Sequence, residues 1–130
     1  MRPGVSAATS KRSVIEFDTS ASQSDLLPGP ADLLIMAFAA CVLKNVERFS
    51  RILSFGYEEA SIEVVAERQE SPPKMTRITY SLRIVTDEPE HRVELLHRNI
   101  RRYGTIYNTL AATCVVSGDI ETRRPARVEV

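Results

Sequence analysis

The residues with most to offer chemically lie between Pro28 and Leu43, which read Pro28-Gly29-Pro30-Ala31-Asp32-Leu33-Leu34-Ile35-Met36-Ala37-Phe38-Ala39-Ala40-Cys41-Val42-Leu43. One thiol, Cys41, and one carboxylate, Asp32, sit in this apolar stretch. A cysteine in such a setting either packs as a small hydrophobe or acts as a nucleophile. The nucleophilic form is the thiolate; free cysteine titrates near 8.5, and apolar surroundings raise that value unless a cation stands close by. In a helix, Lys44 and Asn45 lie three and four residues after Cys41 and are its neighbours, so Lys44 is the candidate cation. Asp32 is nine residues back, about 13 Å along a helix axis, and cannot touch Cys41 of its own chain. Asp32 also suits a helix start on electrostatic grounds alone.

Other constellations offer less. His91, Glu94 and His97 suggest a metal, but histidines six apart face different sides of a helix, and zinc helices use spacings of three or four. Arg98, Arg101 and Arg102, with Arg123-Arg124, suggest nucleic acid. The 17 basic and 17 acidic side chains cancel, however, and solvated surfaces are the better reading. No Gly-rich phosphate loop and no Ser/His/Asp arrangement is present, and no cofactor is expected. The uncharged run from Leu33 to Leu43 is 11 residues, short of the about 20 that span a bilayer. No secretory signal precedes it, so a cytoplasmic location with reduced thiols is expected. The second cysteine, Cys114, reads as a strand residue in the core.

The 130 residues fit one domain. We expect a flexible N-terminal arm over 1–12, a single domain over 13–122 and a basic tail over 123–130. A short strand spans 13–19 and a Ser-rich loop 20–29. A long helix runs from about Pro30 to Phe55, with proline well placed at its first position and Gly56 as a left-handed stop. The first half of this helix is apolar all round, which predicts burial on every side. Its second half keeps only a stripe of Val46, Phe49, Ile52 and Leu53. Strands at 60–68 and 75–86 flank Pro72-Pro73 and form an antiparallel hairpin, with Ile78, Tyr80, Leu82 and Ile84 on one face. A second helix starts near Pro89 with Val93, Leu96, Ile100 and Tyr103 as its buried stripe, and Gly104 interrupts it. A short helix over 105–112 and a last strand over 114–122 follow. Strands and helices are not strictly interleaved, so the fold class is α+β.

The turn ending in proline, the acidic residue, Leu-Leu and the small apolar residues up to Ala39-Ala40-Cys41 resemble the central helix of the OsmC/Ohr family, the osmotically inducible and organic-hydroperoxide-resistance proteins. The order of elements over roughly residues 14–122 agrees. The resemblance implies an intertwined homodimer, its long central helices packed against antiparallel sheets built from both chains. It also implies thiol-dependent reduction of organic hydroperoxides. One cysteine attacks the peroxide and becomes a sulfenic acid, a second cysteine resolves it, and an arginine and a glutamate assist the first.

Carried over residue by residue, the attacking cysteine is Cys41. The glutamate falls on Ala31 or on Asp32, depending on the subfamily compared. The resolving cysteine falls on Gly104, so the second thiol is missing and an external thiol reductant, or Cys114, has to replace it. Arg2 and Arg12 are the only upstream arginines, and neither lies in a recognisable motif. The expected function is therefore a peroxidase in oxidative stress defence with Cys41 and Asp32 at its site. The alternative is a non-catalytic dimer that binds a small apolar ligand in its interface pocket.

Overall fold

The computed structural model describes residues 3–22 and 26–126. The chain forms two compact units, Met1–Ala37 and Phe38–Val130. In the first, β1 (Val5–Ser10) and β2 (Ser13–Asp18) pair antiparallel from Val5 with Asp18 to Ser10 with Ser13. Within the loose arm expected over 1–12, Val5–Ser10 is a strand paired with β2, which the small polar sequence concealed, and residues 1–2 lie outside the described residues. Val14 and Ile15 of β2 are exposed.

Helix α1 (Pro30–Ile52) begins in this unit and continues into the second. Its first turn is closed twice over. Leu33 N–H donates to the Gly29 carbonyl at 3.0 Å, and Gly29 N–H donates to Asp32 Oδ2 at 2.9 Å, the reach-back by which an acid in the first turn satisfies a donor that the helix leaves orphaned. The helix ends three residues earlier than expected. Ser54, at φ 51°, takes the left-handed conformation assigned above to Gly56. Arg92 then covers the helix end, its Nη2 donating to the carbonyls of Leu53 at 2.6 Å and Ser54 at 3.1 Å. A cation on the last carbonyls complements the negative end of the helix dipole.

The second unit is built on β3 (Glu59–Glu70), β4 (Pro73–Val85), α2 (Glu90–Tyr103), α3 (Thr105–Ala111) and β5 (Val115–Arg123). The sheet order is β3-β4-β5, with β3 and β4 antiparallel and β5 parallel to β4. A parallel neighbour needs a crossover, which α2 and α3 supply. The Ser71–Pro72 peptide in the hairpin turn is cis. Ile78, Tyr80, Leu82 and Ile84 are buried on one face of β4, as alternation predicts, and the core adds Phe38, Val42, Val46 and Phe49 of α1 with Val93, Leu96 and Ile100 of α2. Tyr103, expected in the stripe of α2, is instead 48% exposed. The fold class is α+β, as expected.

Burial on every side of α1 does not hold within one chain. Phe38, Val42 and Val46 are buried, but Leu34 is 40% and Met36 55% exposed. Two polar residues are buried on the helix, Asn45 and Ser50. Each donates to the carbonyl four residues earlier, Asn45 to Cys41 and Ser50 to Val46, which satisfies them inside the core.

Candidate active site

Cys41 sits mid-helix on α1, half-buried and free of any disulfide. The helical repeat brings Asn45 one turn on, and its Nδ2 donates to the Cys41 carbonyl at 2.9 Å and lies 3.6 Å from Sγ. The orientation of the amide is fixed by that carbonyl: an oxygen in place of Nδ2 would set two acceptors against each other. The sulfur thus faces an N–H donor on a side chain that is only 7% exposed. Lys44, the cation expected from spacing, is exposed.

The second neighbour of the sulfur is Gly104, between α2 and α3. A Cβ at Gly104 would stand 3.2 Å from Cys41 Sγ, 2.9 Å from Tyr107 Cβ and 3.2 Å from the Ile100 carbonyl. With φ −73° and ψ 120° its backbone suits any residue, so space and not conformation calls for glycine here. The structure therefore brings together Cys41 and the position at which the resemblance places a second thiol, and the fit leaves no room for a side chain.

Asp32 lies on the same helix as Cys41, at its start, where its carboxylate is engaged with the Gly29 N–H. Arg12 lies in the tight turn between β1 and β2, and Arg2 falls outside the described residues. Cys114 has different company from Cys41: its thiol donates to the Met75 carbonyl at 3.4 Å. Among the described residues no group of three or more His, Cys, Asp or Glu is placed to hold a metal. No helix there is long and apolar enough to cross a membrane.

Spacing makes Asn45 a neighbour of Cys41 but does not by itself turn its amide to the sulfur; the signal for that is its phase, since it falls on the same stripe as Val42, Val46 and Phe49. The packing of Gly104 on the sulfur is a contact across about 60 residues of chain, and no local pattern announces it.

Comparison with known proteins agrees with this architecture. The OsmC-like protein family matches residues 22–118, and the chain belongs to that family. Among solved structures, an OsmC-like protein from Mycoplasma pneumoniae superposes with a TM-score of 0.82 at 15% identity, over 91% of this chain and 88% of the other. An organic hydroperoxide resistance protein OsmC from Legionella pneumophila gives 0.70 at 14% identity, over 90% and 94%. The organic hydroperoxide resistance protein OhrB of Bacillus subtilis gives 0.65 at 15% identity, over 90% and 96%. No curated protein matches the sequence.

Proposed function

We propose that this protein reduces organic hydroperoxides with external thiols, through Cys41, as a cytoplasmic homodimer. The observation that carries the reading is the sulfur itself: half-buried on an apolar helix, facing the Asn45 amide and backed by Gly104. In the first step the Cys41 sulfur, as thiolate, attacks the outer oxygen of the hydroperoxide. An S–O bond forms, the O–O bond breaks, and the alkoxide leaves and takes a proton to become the alcohol. Sulfur gives up the two electrons that reduce the peroxide and becomes the sulfenic acid. The Asn45 N–H faces the atom that carries the negative charge before attack, and a hydrogen bond to a charged acceptor is stronger than one to a neutral acceptor.

Gly104 carries no thiol, so a low-molecular-weight thiol displaces water from the sulfenic acid to give a mixed disulfide. A second thiol reduces that disulfide and returns Cys41. Exposed Leu34 and Met36 on α1 support the dimer, because a second copy would remove this apolar surface from water. Asp32 acts in this scheme by holding the start of the helix.

The missing second thiol equally supports a non-catalytic member that binds a small apolar ligand at the subunit interface. Consumption of cumene hydroperoxide with dithiothreitol, followed for wild type and Cys41→Ser, separates the two readings. Turnover lost in the variant establishes the peroxidase. Equal background rates in both proteins overturn it in favour of the binder.

A further inference from the structure

A second polar constellation lies along α2 and α3. His97, Arg98, Arg101 and Arg102 of α2 and Tyr107 and Asn108 of α3 line a groove of about 570 Å³. The spacing explains the convergence: 94, 97, 98, 101 and 102 follow the three-and-four rhythm of one helix face. Three arginines meet one acid there, Glu94. The four ion pairs among the described residues use Arg51, Arg77, Arg83 and Arg92, and none involves an arginine of the groove.

The floor of the groove is built from the core. His97 is half-buried, and its Nε2 shares a hydrogen bond of 2.6 Å with the hydroxyl of Tyr80. Tyr80 is buried on β4, edge-on to both His97 and Tyr107. Its ring fits only because Gly118, its partner on β5, has no side chain: a Cβ there would stand 2.4 Å from the ring. Burial, then the charge of Arg101, holds the His97 imidazole below its ordinary range, against an opposing pull from Asp119. A half-buried imidazole tied to Tyr80 thus shares the groove with arginines that make no ion pair among the described residues.

We propose that this groove is a binding site for a small oxyanion, a phosphate or carboxylate group, held by Arg98 and Arg101 over His97. The guanidinium forks suit either anion. The bound charge also offsets that of Arg101, the second of the two causes that hold His97 low, so binding and protonation are linked. The charged and titratable groups around His97 are Glu94, Arg98, Arg101 and Arg102 on α2, Tyr80 on β4, Tyr107 on α3 and Asp119 on β5. With an anion in place the His97 midpoint rises, and by reciprocity the anion binds more tightly as pH falls through that midpoint. This inference does not depend on the peroxidase reading.

The test follows the ring resonances of His97 in the full-length protein, with exposed His91 as internal reference. Sulfate is the probe because its charge is constant from pH 5 to 8. The expected result is a saturable shift and a His97 midpoint about one unit higher in saturating sulfate, which corresponds to about tenfold tighter binding to the protonated form. Phosphate and acetate arms then distinguish the two anion classes. Arg98→Gln with Arg101→Gln should abolish the response, and Glu94→Gln should strengthen it. Opposite responses from one helix face exclude misfolding as the cause. A response no larger than in sodium chloride of equal ionic strength, or one that persists without the two arginines, overturns the proposal.

Discussion

Cys41 and Cys114 are both half-buried, both free, and both in the same compact unit, yet they are wired oppositely. Cys114 uses its S–H as a donor to a backbone carbonyl, a bond that exists only while the proton stays on sulfur. Cys41 is an acceptor from an amide, a bond that strengthens as charge builds on sulfur. Burial does not separate these thiols; the polarity of one hydrogen bond does. The difference teaches that a cysteine in a protein interior should be read from what faces its sulfur. Cys41 also has a glycine against it, whereas Cys114 is set at the entrance to β5 beside Thr113.

The comparison breaks most simply at the level of activity. Cys41→Ser is expected to remove all thiol-dependent peroxide consumption, and Cys114→Ser to retain at least about half of it, both read as peroxide lost per unit time. Loss of activity in Cys114→Ser alone would mean that the two sulfurs cooperate in turnover. The next largest effect concerns Gly104. Gly104→Ala places a methyl 2.9 Å from Tyr107 Cβ and 3.2 Å from Cys41 Sγ, and overpacking of this kind costs about 1–3 kcal/mol. Denaturant unfolding should show that loss with an unchanged m-value. Gly56→Ala, which meets nothing within 4 Å, should be close to neutral. Gly104→Cys should be at least as destabilising as Gly104→Ala, so restoring a second thiol there requires compensating changes at Tyr107.

Much of this was legible in the chain. The alternation over 75–86 gave β4 and its buried face, and the Pro30 and Asp32 pair marked the start of α1. The charge-free run ending at Cys41 marked the helix on which a thiol chemistry would rest. What was not legible had physical causes. Val5–Ser10 is a strand by pairing and not by hydrophobicity, since most of its residues have no apolar face to bury. Gly56 is a better left-handed residue than Ser54 by propensity, but the Arg92 contacts to the carbonyls of Leu53 and Ser54 fix where the helix ends. The stripe of α2 loses Tyr103 to the surface, where its ring lies against Phe49 and beneath the Arg102 guanidinium. At the site, Lys44 drew attention as the charged neighbour. The buried neighbour one residue later faces the sulfur, because helix phase and not charge decides which of them points inward.

The smallest and most discriminating effect is that of Asn45. Its amide makes two contacts, one to the Cys41 carbonyl at 2.9 Å and one to Sγ at 3.6 Å. Asn45→Leu keeps the branching and the number of heavy atoms of the side chain and removes both. A purely structural role predicts lower stability and an unchanged ratio of alkylation rates between Cys41 and Cys114 in the folded protein. A role at the sulfur predicts a selective fall in the Cys41 rate. Hydrogen bonds to a charged partner contribute about 1.5–3 kcal/mol net, and the long N–H to sulfur contact belongs at or below the lower end, so the fall should be roughly tenfold or less. Iodoacetamide labelling at fixed pH, read site by site by peptide mass, gives both rates from one sample. Cys114 thereby corrects for any general loosening of the fold. Asn45→Asp sharpens the result further: a carboxylate of nearly the same shape opposes negative charge on the sulfur, so Cys41 should label more slowly than in Asn45→Leu. Equal Cys41 rates in wild type, Asn45→Leu and Asn45→Asp would leave the two thiols distinguished by packing alone.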